Sequence, residues 1–409
     1  MRIVLLCQYY PPELALIWPH ELARELVRRG HEVTTLTAMP NRGQSRSFEG
    51  YRRKLFTCEQ MDRVRIVRSW IYATTSKKFF PRAMNFGSFC GSSLIAGLFG
   101  SAPPDVIYAL LPPLPLGVTA GILASFKRAR LVVNIQDIFP RAAVEYGMLT
   151  NPRAIRFFEK MEMWIYRRAD RIAVISEGMR EDLLIRSVPA EKVVVIENWA
   201  DPSFITPGPR NNEFRRYLDV GDRFLVIYSG GINNNANLEP VIEAADILRD
   251  EPFAFAIVGE GQFKPQIEEM ARSKHLDHVR FLPFQPVEQY PNVLRAADLS
   301  LVSLNARSAA TSVPSKIYKQ MAAGRPILAI TPETNELYRL VTTSQCGKCV
   351  LPDDAKGVAE VVRWAARHGD ELHRMGENAR RHLEQYHSLD RSVDRICELL
   401  QEACTARKK

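Results

Sequence analysis

Short apolar segments alternate with helical patterns along this 409-residue chain, and this rhythm constrains its fold more than any other feature. β-Branched runs bounded by turns predict buried parallel strands in the first half, at residues 2–6, 32–36, 64–68, 106–110, 131–135 and 171–175. The second half predicts further strands at 224–229, 253–258, 279–282, 299–304 and 326–330, with helices near 238–249, 264–273, 288–296 and 315–323. Strands that alternate with helices twice over predict an α/β protein with two doubly wound, Rossmann-like domains.

The length also favours two domains, because one hydrophobic core rarely organises so many residues. A polar, proline-rich stretch at 201–212 is predicted to be a linker that few packing contacts cross. We therefore expect an N-terminal domain at 1–200, a C-terminal domain at 213–385 and a final helix at 386–409. The final helix could pack back on the N-terminal domain.

The positive charge of the chain is concentrated in its first half. Residues 1–200 hold 28 Lys and Arg against 18 Asp and Glu, a net charge of +10, whereas residues 201–409 hold 27 against 28. Such an excess predicts an anionic surface, a lipid-linked substrate or a nucleic acid as the partner of the first half. The known sequence motifs of nucleic-acid-binding domains are absent, so a nucleic-acid partner is not expected.

The cysteines do not indicate a disulfide framework or a metal site. Seven cysteines are scattered at positions 7, 58, 90, 346, 349, 397 and 404, which favours a reducing compartment. Cys346 and Cys349 form a lone C-x-x-C pair, and zinc would need two more ligands nearby. We expect structural cysteines and no metal.

The sequence predicts attachment to a membrane surface without a membrane span. The apolar run at the N-terminus is too short for a signal peptide, and the uncharged stretch at 106–126 carries three prolines near its middle. Lys77, Lys78 and Arg82 mix with phenylalanines ahead of the apolar stretch 86–99. These cations suggest docking on an anionic inner leaflet. A buried helix with a solvated charged start is the alternative.

One segment of the second half has the features of an anion site. Pro314 stands just before a helical pattern, Ser315 can cap that helix, and Lys316 places a cation in its first turn. A cation there is mildly unfavourable for a bare helix and becomes favourable when an anion binds. A capped helix with a solvated Lys316 is the other interpretation.

Two glycine turns follow neighbouring predicted strands. Ser229, Gly230 and Gly231 follow the strand at 224–229, and the sequence Gly259-Glu260-Gly261 follows the next one. Small residues at strand ends let backbone amides approach a phosphate, although tight turns need glycine as well. Two such turns at one sheet edge favour a nucleotide site.

In the first half, Asp137 ends an apolar strand and Ser176 follows another. Each is interpreted either as a cap or turn residue or as a polar group at the edge of a ligand cleft. For Asp137 we favour the cleft, where its carboxylate reaches sugar hydroxyls or the reacting centre.

The ordered motifs resemble glycosyltransferase family 4, the retaining enzymes of the GT-B fold, and within it the branch for bacterial polysaccharides that includes N-acetylfucosamine transferases. The resemblance spans about residues 3–352. It rests on the segments 8–13, 29–34, 136–140, 228–230, 258–261, 296–298 and 314–326.

This resemblance implies a donor site for a nucleotide-diphosphate sugar in the C-terminal domain and an acceptor site in the N-terminal domain. UDP-sugar is favoured as donor, and the acceptor is a lipid-linked glycan or polysaccharide at the cytoplasmic face of the membrane. It implies no metal or cofactor, because the helix start and cations stabilise the leaving diphosphate. It assigns Asp137 and Lys316 to catalysis, residues from the two glycine turns and the 314–318 segment to the donor, and residues from the N-terminal motif to the acceptor. The donor residues are Ser229, Gly230, Gly231, Gly259, Glu260, Gly261, Pro314, Ser315, Lys316 and Tyr318, and the acceptor residues are Tyr10, Glu13 and Trp18.

Three positions depart from the family pattern. Lys319 stands where the family usually has an acidic residue that holds the donor ribose, and the loop 233–237 is rich in Asn where the family often has a cation. Bulky residues at 15–18 replace frequent glycines. A non-catalytic nucleotide-sugar-binding partner is therefore an alternative, as is an epimerase of the same fold. A phosphorylase would need a pyridoxal lysine that the sequence does not display.

Overall fold

The computed structural model describes residues 1–13, 18–41, 44–52, 54–76, 79–145, 149–306 and 314–405. The chain forms two compact units. The first consists of Met1–Glu197 together with Ser392–Lys409, and the second of Asn198–Arg391.

The first unit is built around a sheet that has eight strands within the described residues, in the order β3-β4-β2-β1-β5-β6-β7-β8. Its strands are β1 (Arg2–Leu6), β2 (Glu32–Ala38), β3 (Phe56–Met61), β4 (Val64–Ser69), β5 (Val106–Leu111), β6 (Arg130–Ile135), β7 (Arg171–Val174) and β8 (Val193–Val195). Neighbouring strands are parallel, except that β3 pairs antiparallel with β4. Every residue of β5 is buried, as expected for a central strand covered on both faces.

The helices of the first unit connect these strands and cover the sheet. They are α1 (Trp18–Arg28), α2 (Phe79–Gly100), α3 (Leu114–Lys127), α4 (Arg141–Glu145), α5 (Pro152–Arg168) and α6 (Glu177–Ile185). The core of this unit joins apolar side chains of β1, β5 and β6 to those of α3 and α5.

The second unit repeats the plan with a sheet that has six strands among the described residues, in the order β11-β10-β9-β12-β13-β14. Its strands are β9 (Phe224–Ser229), β10 (Phe253–Val258), β11 (Val279–Leu282), β12 (Leu299–Ser303), β13 (Ile327–Ile330) and β14 (Gly347–Val350). All the pairs are parallel. The helices are α7 (Glu213–Leu218), α8 (Glu239–Ile247), α9 (Lys264–Ser273), α10 (Tyr290–Arg295), α11 (Lys316–Ala322), α12 (Glu336–Thr343), α13 (Ala355–Arg367) and α14 (Gly369–His382).

The last helix, α15 (Leu389–Thr405), takes the chain back to the first unit. Asp394 pairs with Arg29 at 2.8 Å, and Arg395 pairs with Glu197 at 3.1 Å. A π-helical turn (Leu383–His387) separates α14 from α15, so the C-terminal region is not one continuous helix.

The predicted fold class, two doubly wound Rossmann-like α/β units, is confirmed. The structure adds β3, β8 and β14, which sequence reasoning did not predict. The polar strand β3 alternates between exposed and half-buried positions and lacks an apolar run.

The prediction of a sparsely packed linker at 201–212 is wrong. The carbonyl of Thr206 accepts a hydrogen bond from Arg295 at 2.6 Å, and the carbonyl of Gly208 accepts one from Arg325 at 2.6 Å. Ile205 is buried in the core of the second unit. Prolines in this stretch therefore shape a packed segment, and the chain passes between units at Glu197 and Asn198.

Candidate functional site

The order of strands in the second sheet locates a candidate ligand site. Strand β9 lies between β10 and β12, so the connections that leave β9 and β12 run to opposite sides of the sheet. In open α/β sheets, a crevice that accepts ligands opens at the carboxyl ends of two such strands. Here the site contains the turn after Ser229 and the start of α11 at Lys316.

Lys316 and Tyr228 form the centre of this site. The ammonium Nζ of Lys316 lies 2.5 Å from the phenolic oxygen of Tyr228 and 4.0 Å from the centre of its ring. The lysine donates to the hydroxyl, and the hydroxyl donates to the carbonyl of Gly231 at 2.7 Å. This chain of contacts fixes the ammonium group beside the glycine turn.

Within the part of the chain that the structure describes, no carboxylate pairs with the ammonium group of Lys316. Burial lowers the pKa of this group from 10.5 to about 7. Burial likewise raises the pKa of Tyr228, so its hydroxyl stays protonated at neutral pH. A bound anion would restore the proton on Lys316 and neutralise a charge that the protein leaves unpaired.

The helix start differs from its prediction. Ser315 precedes the first helical residue, but its side chain makes no capping hydrogen bond, so the predicted cap is wrong. The Pro314 carbonyl instead accepts from the backbone N–H of Ile317 at 3.1 Å. Tyr318 is buried and packs against the His387 ring with centroids 4.7 Å apart. The Tyr318 ring therefore takes part in packing, and its contact with the donor stays a prediction.

The two glycine turns pack against each other through their backbones. A Cβ atom on Gly259 would lie 1.9 Å from the carbonyl oxygen of Gly230, and one on Gly261 would lie 2.0 Å from that of Ile232. A Cβ on Gly230 would lie 3.0 Å from the Lys316 ammonium. Close turn packing therefore explains Gly259 and Gly261 without a ligand. Gly230 and the exposed Gly231 remain beside the cation.

This packing gives a stability prediction. We expect Gly259→Ala to lower the free energy of unfolding by about 1–3 kcal/mol, because the added methyl group meets a backbone oxygen that cannot rotate away. Thermal denaturation should show a midpoint several degrees lower. Gly369→Ala is the matched control, since its Cβ would meet nothing within 4 Å. Equal midpoints for the two variants would contradict the packing argument.

Further side chains line the same sheet edge. Ser229 donates to the hydroxyl of Tyr290 at 3.3 Å, and the Lys319 ammonium lies 5.5 Å from the centre of the Tyr290 ring. Sequence reasoning missed Tyr290, since it lies 61 residues from Ser229 and only the fold brings them together. The exposed Glu260 forms an ion pair with Lys264 at 2.8 Å, so its carboxylate has a partner within the protein.

In the first unit, Asp137 lies two residues beyond the end of β6. The neighbouring Gln136 backbone N–H donates to the carbonyl of Leu111, at the end of β5, at 2.9 Å. The Asp137 side chain reaches solvent, yet the protein atoms around it raise its pKa from 3.8 to about 6. Ser176, by contrast, accepts from the N–H of Met179 at 3.1 Å and is a helix cap.

The predicted acceptor residues have internal partners. Tyr10 is fully buried, and its hydroxyl lies 2.8 Å from Nδ1 of His20, so this hydroxyl has a partner within the protein and its contact with an acceptor stays a prediction. Glu13 is also buried and accepts from the backbone N–H of Asn41 at 2.8 Å, which ties two loops together. Trp18 is half-buried at the start of α1.

The predicted membrane-docking residues are described only in part. Lys77 and Lys78 lie outside the described residues. Arg82 is exposed in the first turns of α2, with its guanidinium 5.9 Å from the centre of the Phe86 ring.

Two family models match this chain, one in each half of the sequence. A glycosyl transferase 4-like domain matches residues 19–199, and the glycosyl transferases group 1 family matches residues 209–382. A relative from Escherichia coli K12, named for colanic acid biosynthesis as the glycosyl transferase WcaI, is 29% identical over 375 residues, covering 89% of this chain and 92% of the relative.

Solved structures share the fold at low sequence identity. Sucrose-phosphate synthase from Thermosynechococcus elongatus superposes with a TM-score of 0.77 at 17% identity, covering 98% of each chain. HepE from Anabaena in complex with UDP gives 0.73 at 17% identity, covering 98% of this chain and 100% of HepE. HepE has also been solved with UDP-glucose.

Proposed function

Because this chain belongs to the family 4-like glycosyltransferases of the GT-B fold, we propose that it transfers a sugar with retention from a nucleotide-diphosphate sugar to a lipid-linked or polysaccharide acceptor. It is an enzyme of the glycosyltransferase family, and one relative, WcaI of Escherichia coli K12, is named for colanic acid biosynthesis. In the proposal the donor is a UDP-sugar, the pathway is bacterial surface polysaccharide synthesis, and no metal takes part.

One observation carries the donor site: the buried ammonium group of Lys316 at the switch point of the second sheet, with which no carboxylate of the described residues pairs. Burying a cation without a counter-ion costs free energy, and a diphosphate would supply the missing negative charge. The adjacent Gly230 and Gly231 add a backbone without side chains beside the ammonium. A nucleotide diphosphate therefore suits this site better than an uncharged ligand.

The proposed reaction uses this charge where it develops. The bond from the anomeric carbon to the diphosphate breaks, and the acceptor oxygen forms a new bond to the same carbon on the same face. The acceptor's hydroxyl proton passes to the departing phosphate oxygen. Lys316 stabilises the negative charge on the leaving diphosphate, as donors of an oxyanion hole do. Asp137 is proposed to position or polarise the reacting groups.

The preference for UDP is supported by the neighbours alone. HepE, which shares the fold, has been solved with UDP and with UDP-glucose. The proposal of a surface polysaccharide acceptor is supported by the name of WcaI, which places that relative in colanic acid biosynthesis.

A non-catalytic nucleotide-sugar-binding partner is the second candidate. The observation that favours it is Lys319, which replaces the usual acidic residue and lies against the Tyr290 ring. Hydrolysis assays with pooled nucleotide sugars separate the candidates, since only an active enzyme consumes the donor. An epimerase of the same fold would convert the sugar without hydrolysis.

The proposed location is the cytoplasmic face of the plasma membrane. No helix in the described part of the chain has the length and apolar character to cross a bilayer. Attachment would then be peripheral, next to a lipid-linked acceptor.

The pKa of Lys316 gives a direct test with UDP-glucose as the probe. In the protein without ligand, Lys316 has a pKa of about 7, and the diphosphate binds the charged form of this side chain. The affinity for UDP-glucose should therefore weaken by about tenfold from pH 6 to pH 8. Isothermal titration in buffers of different ionisation enthalpy should show net proton uptake at pH 8. Lys316→Met should bind weakly at every pH. Tight binding with the same affinity at pH 6 and pH 8 would contradict the assignment.

A further inference from the structure

Helix α2 of the first unit exposes an apolar face to solvent. Phe80 is 73% exposed, Met84 44%, Ile95 51% and Phe99 86%. These four side chains, with the exposed Gly87 and Gly91 between them, recur at helical spacing along one side of the helix. We call this side the α2 face. At about 1.5 Å per residue, its 22 residues extend for roughly 33 Å.

The uncharged polar residues Asn85, Ser88 and Ser92 of α2 face the protein rather than solvent. Asn85 donates to the carbonyl of Tyr72 at 2.7 Å, Ser88 accepts from the Tyr72 N–H at 2.8 Å, and Ser92 donates to the carbonyl of Trp70 at 2.5 Å. A surface helix normally has the opposite arrangement, with polar side chains toward water. This inversion marks a surface that is covered by a partner.

Aromatic residues border the α2 face. Trp70 and Tyr72 are 41% and 42% exposed, and the hydrogen bonds above fix their backbone beside the helix. Trp and Tyr side chains, with an apolar ring and a polar tip, are typical of the boundary between lipid and water. The border therefore suits a bilayer surface.

The charge around the α2 face has one dominant sign. Helix α2 contains no acidic residue, and its one charged residue is Arg82. Helix α3 packs on α2, where a Cβ on Gly97 would meet Leu123, and α5 packs on α3, where a Cβ on Gly121 would meet Trp164. The exposed basic residues of α5 and of the end of α3 outnumber the exposed acid Glu159; they are Arg128, Arg153, Arg156, Lys160, Arg167 and Arg168.

We propose that the α2 face lies flat on an anionic lipid bilayer, with its apolar side chains among the upper acyl chains. The basic side chains of α3 and α5 would then be near the lipid headgroups, where each adds electrostatic attraction. A second copy of this chain fits less well, because two faces with the same positive border repel each other. The helix cannot be a span, since its other side packs Phe89 and Ala96 into the core.

Membrane contact through the α2 face does not depend on the transfer reaction and involves more than the cations Lys77, Lys78 and Arg82. Helix α2 itself makes the contact, and insertion of its apolar side chains contributes together with charge. The two contributions can be separated by experiment, since variants can remove one and keep the other.

The experiment is flotation of the full-length chain with vesicles of phosphatidylcholine alone or with 30% phosphatidylglycerol. The wild type should float with the anionic vesicles and remain largely unbound with the neutral ones. The double variant Ile95→Gln, Phe99→Gln should have a partition coefficient on anionic vesicles that is at least tenfold lower than that of the wild type. Arg82→Glu with Arg156→Glu should do the same without any change in apolar area.

The matched control is Tyr217→Gln with Ile247→Gln, which removes two exposed hydrophobic side chains from the second unit. It should float as the wild type does, and circular dichroism should show that every variant is folded. Absence of wild-type flotation, or wild-type flotation of the Ile95/Phe99 variant, would overturn the proposal. A wild-type dimer in sedimentation equilibrium that the same variant abolishes, without vesicle binding, would assign the face to a second copy instead. Since the assay needs no donor, an inactive enzyme can still pass it.

Discussion

Replacing Lys316 with alanine should slow sugar transfer by roughly 30- to 1,000-fold, which corresponds to about 2–4 kcal/mol of transition-state stabilisation. The reason is that no other cation contacts the Tyr228 hydroxyl and the glycine turn among the described residues. Initial rates with a saturating donor measure the effect as a loss in kcat. The variant should keep its fold, since removal of a buried, unpaired ammonium relieves a desolvation cost.

Lys274→Ala is the control for Lys316→Ala. Lys274 pairs with Asp246 at 2.9 Å and Glu243 at 3.2 Å on the surface of the second unit, so its loss should leave kcat unchanged. A normal turnover rate for a folded Lys316→Ala enzyme would refute the proposed role in stabilising the leaving group.

Replacing Asp137 with asparagine should lower turnover by roughly 100-fold or more, in the range of lost proton-transfer or polarising groups. Nucleotide affinity should change less than about twofold, because Asp137 belongs to the first unit and the nucleotide site to the second. Its folded-state pKa of about 6 means that the carboxylate forms as pH rises through 6. The wild-type rate should therefore rise as the pH increases through 6, and the rate of the variant should not show this increase.

Glu177→Gln serves as the comparison for Asp137→Asn, because Glu177 is an exposed carboxylate that closely follows the next strand, β7. It should retain both the rate and the pH profile. Loss of nucleotide binding in a folded Asp137→Asn protein would contradict the assignment of Asp137 to the transfer step, as would a pH profile identical to that of the wild type.

The periodicity of the sequence was sufficient to predict the architecture. Buried parallel strands such as β5 and β10 are continuous apolar runs that contain several β-branched or aromatic residues, so their bounds follow closely from sequence. Strand β3 was not predicted because it pairs at a sheet edge through its backbone. Its side chains alternate between exposed and half-buried positions at the surface. An edge strand needs no apolar face, and therefore leaves a weak periodic signal.

The candidate site was predictable in its cation but not in its contacts. Lys316 stands out as a charge in a first helical turn, whereas the Tyr228 ring beneath it and the Tyr290 hydroxyl beside Ser229 come from distant segments. Gly259 was interpreted as part of a phosphate-binding turn, but the backbone oxygen of Gly230 lies so close that a Cβ atom could not be placed at this position. Tyr10 lies in a motif that suggests an acceptor, yet the fold turns its hydroxyl toward His20. Side-chain direction at such positions depends on tertiary packing.

The return of the chain to the first unit through α15 has a consequence for biosynthesis on the ribosome. Val393, Ile396 and Leu400 are buried side chains of that helix, and they are translated only after the whole second unit. Until those residues emerge, the nascent N-terminal unit keeps an apolar surface uncovered while a complete second unit is being translated behind it. The unit that is translated first is therefore finished last, and a ribosome that stalls shortly before residue 392 releases a product with a folded second unit and an unfinished first one.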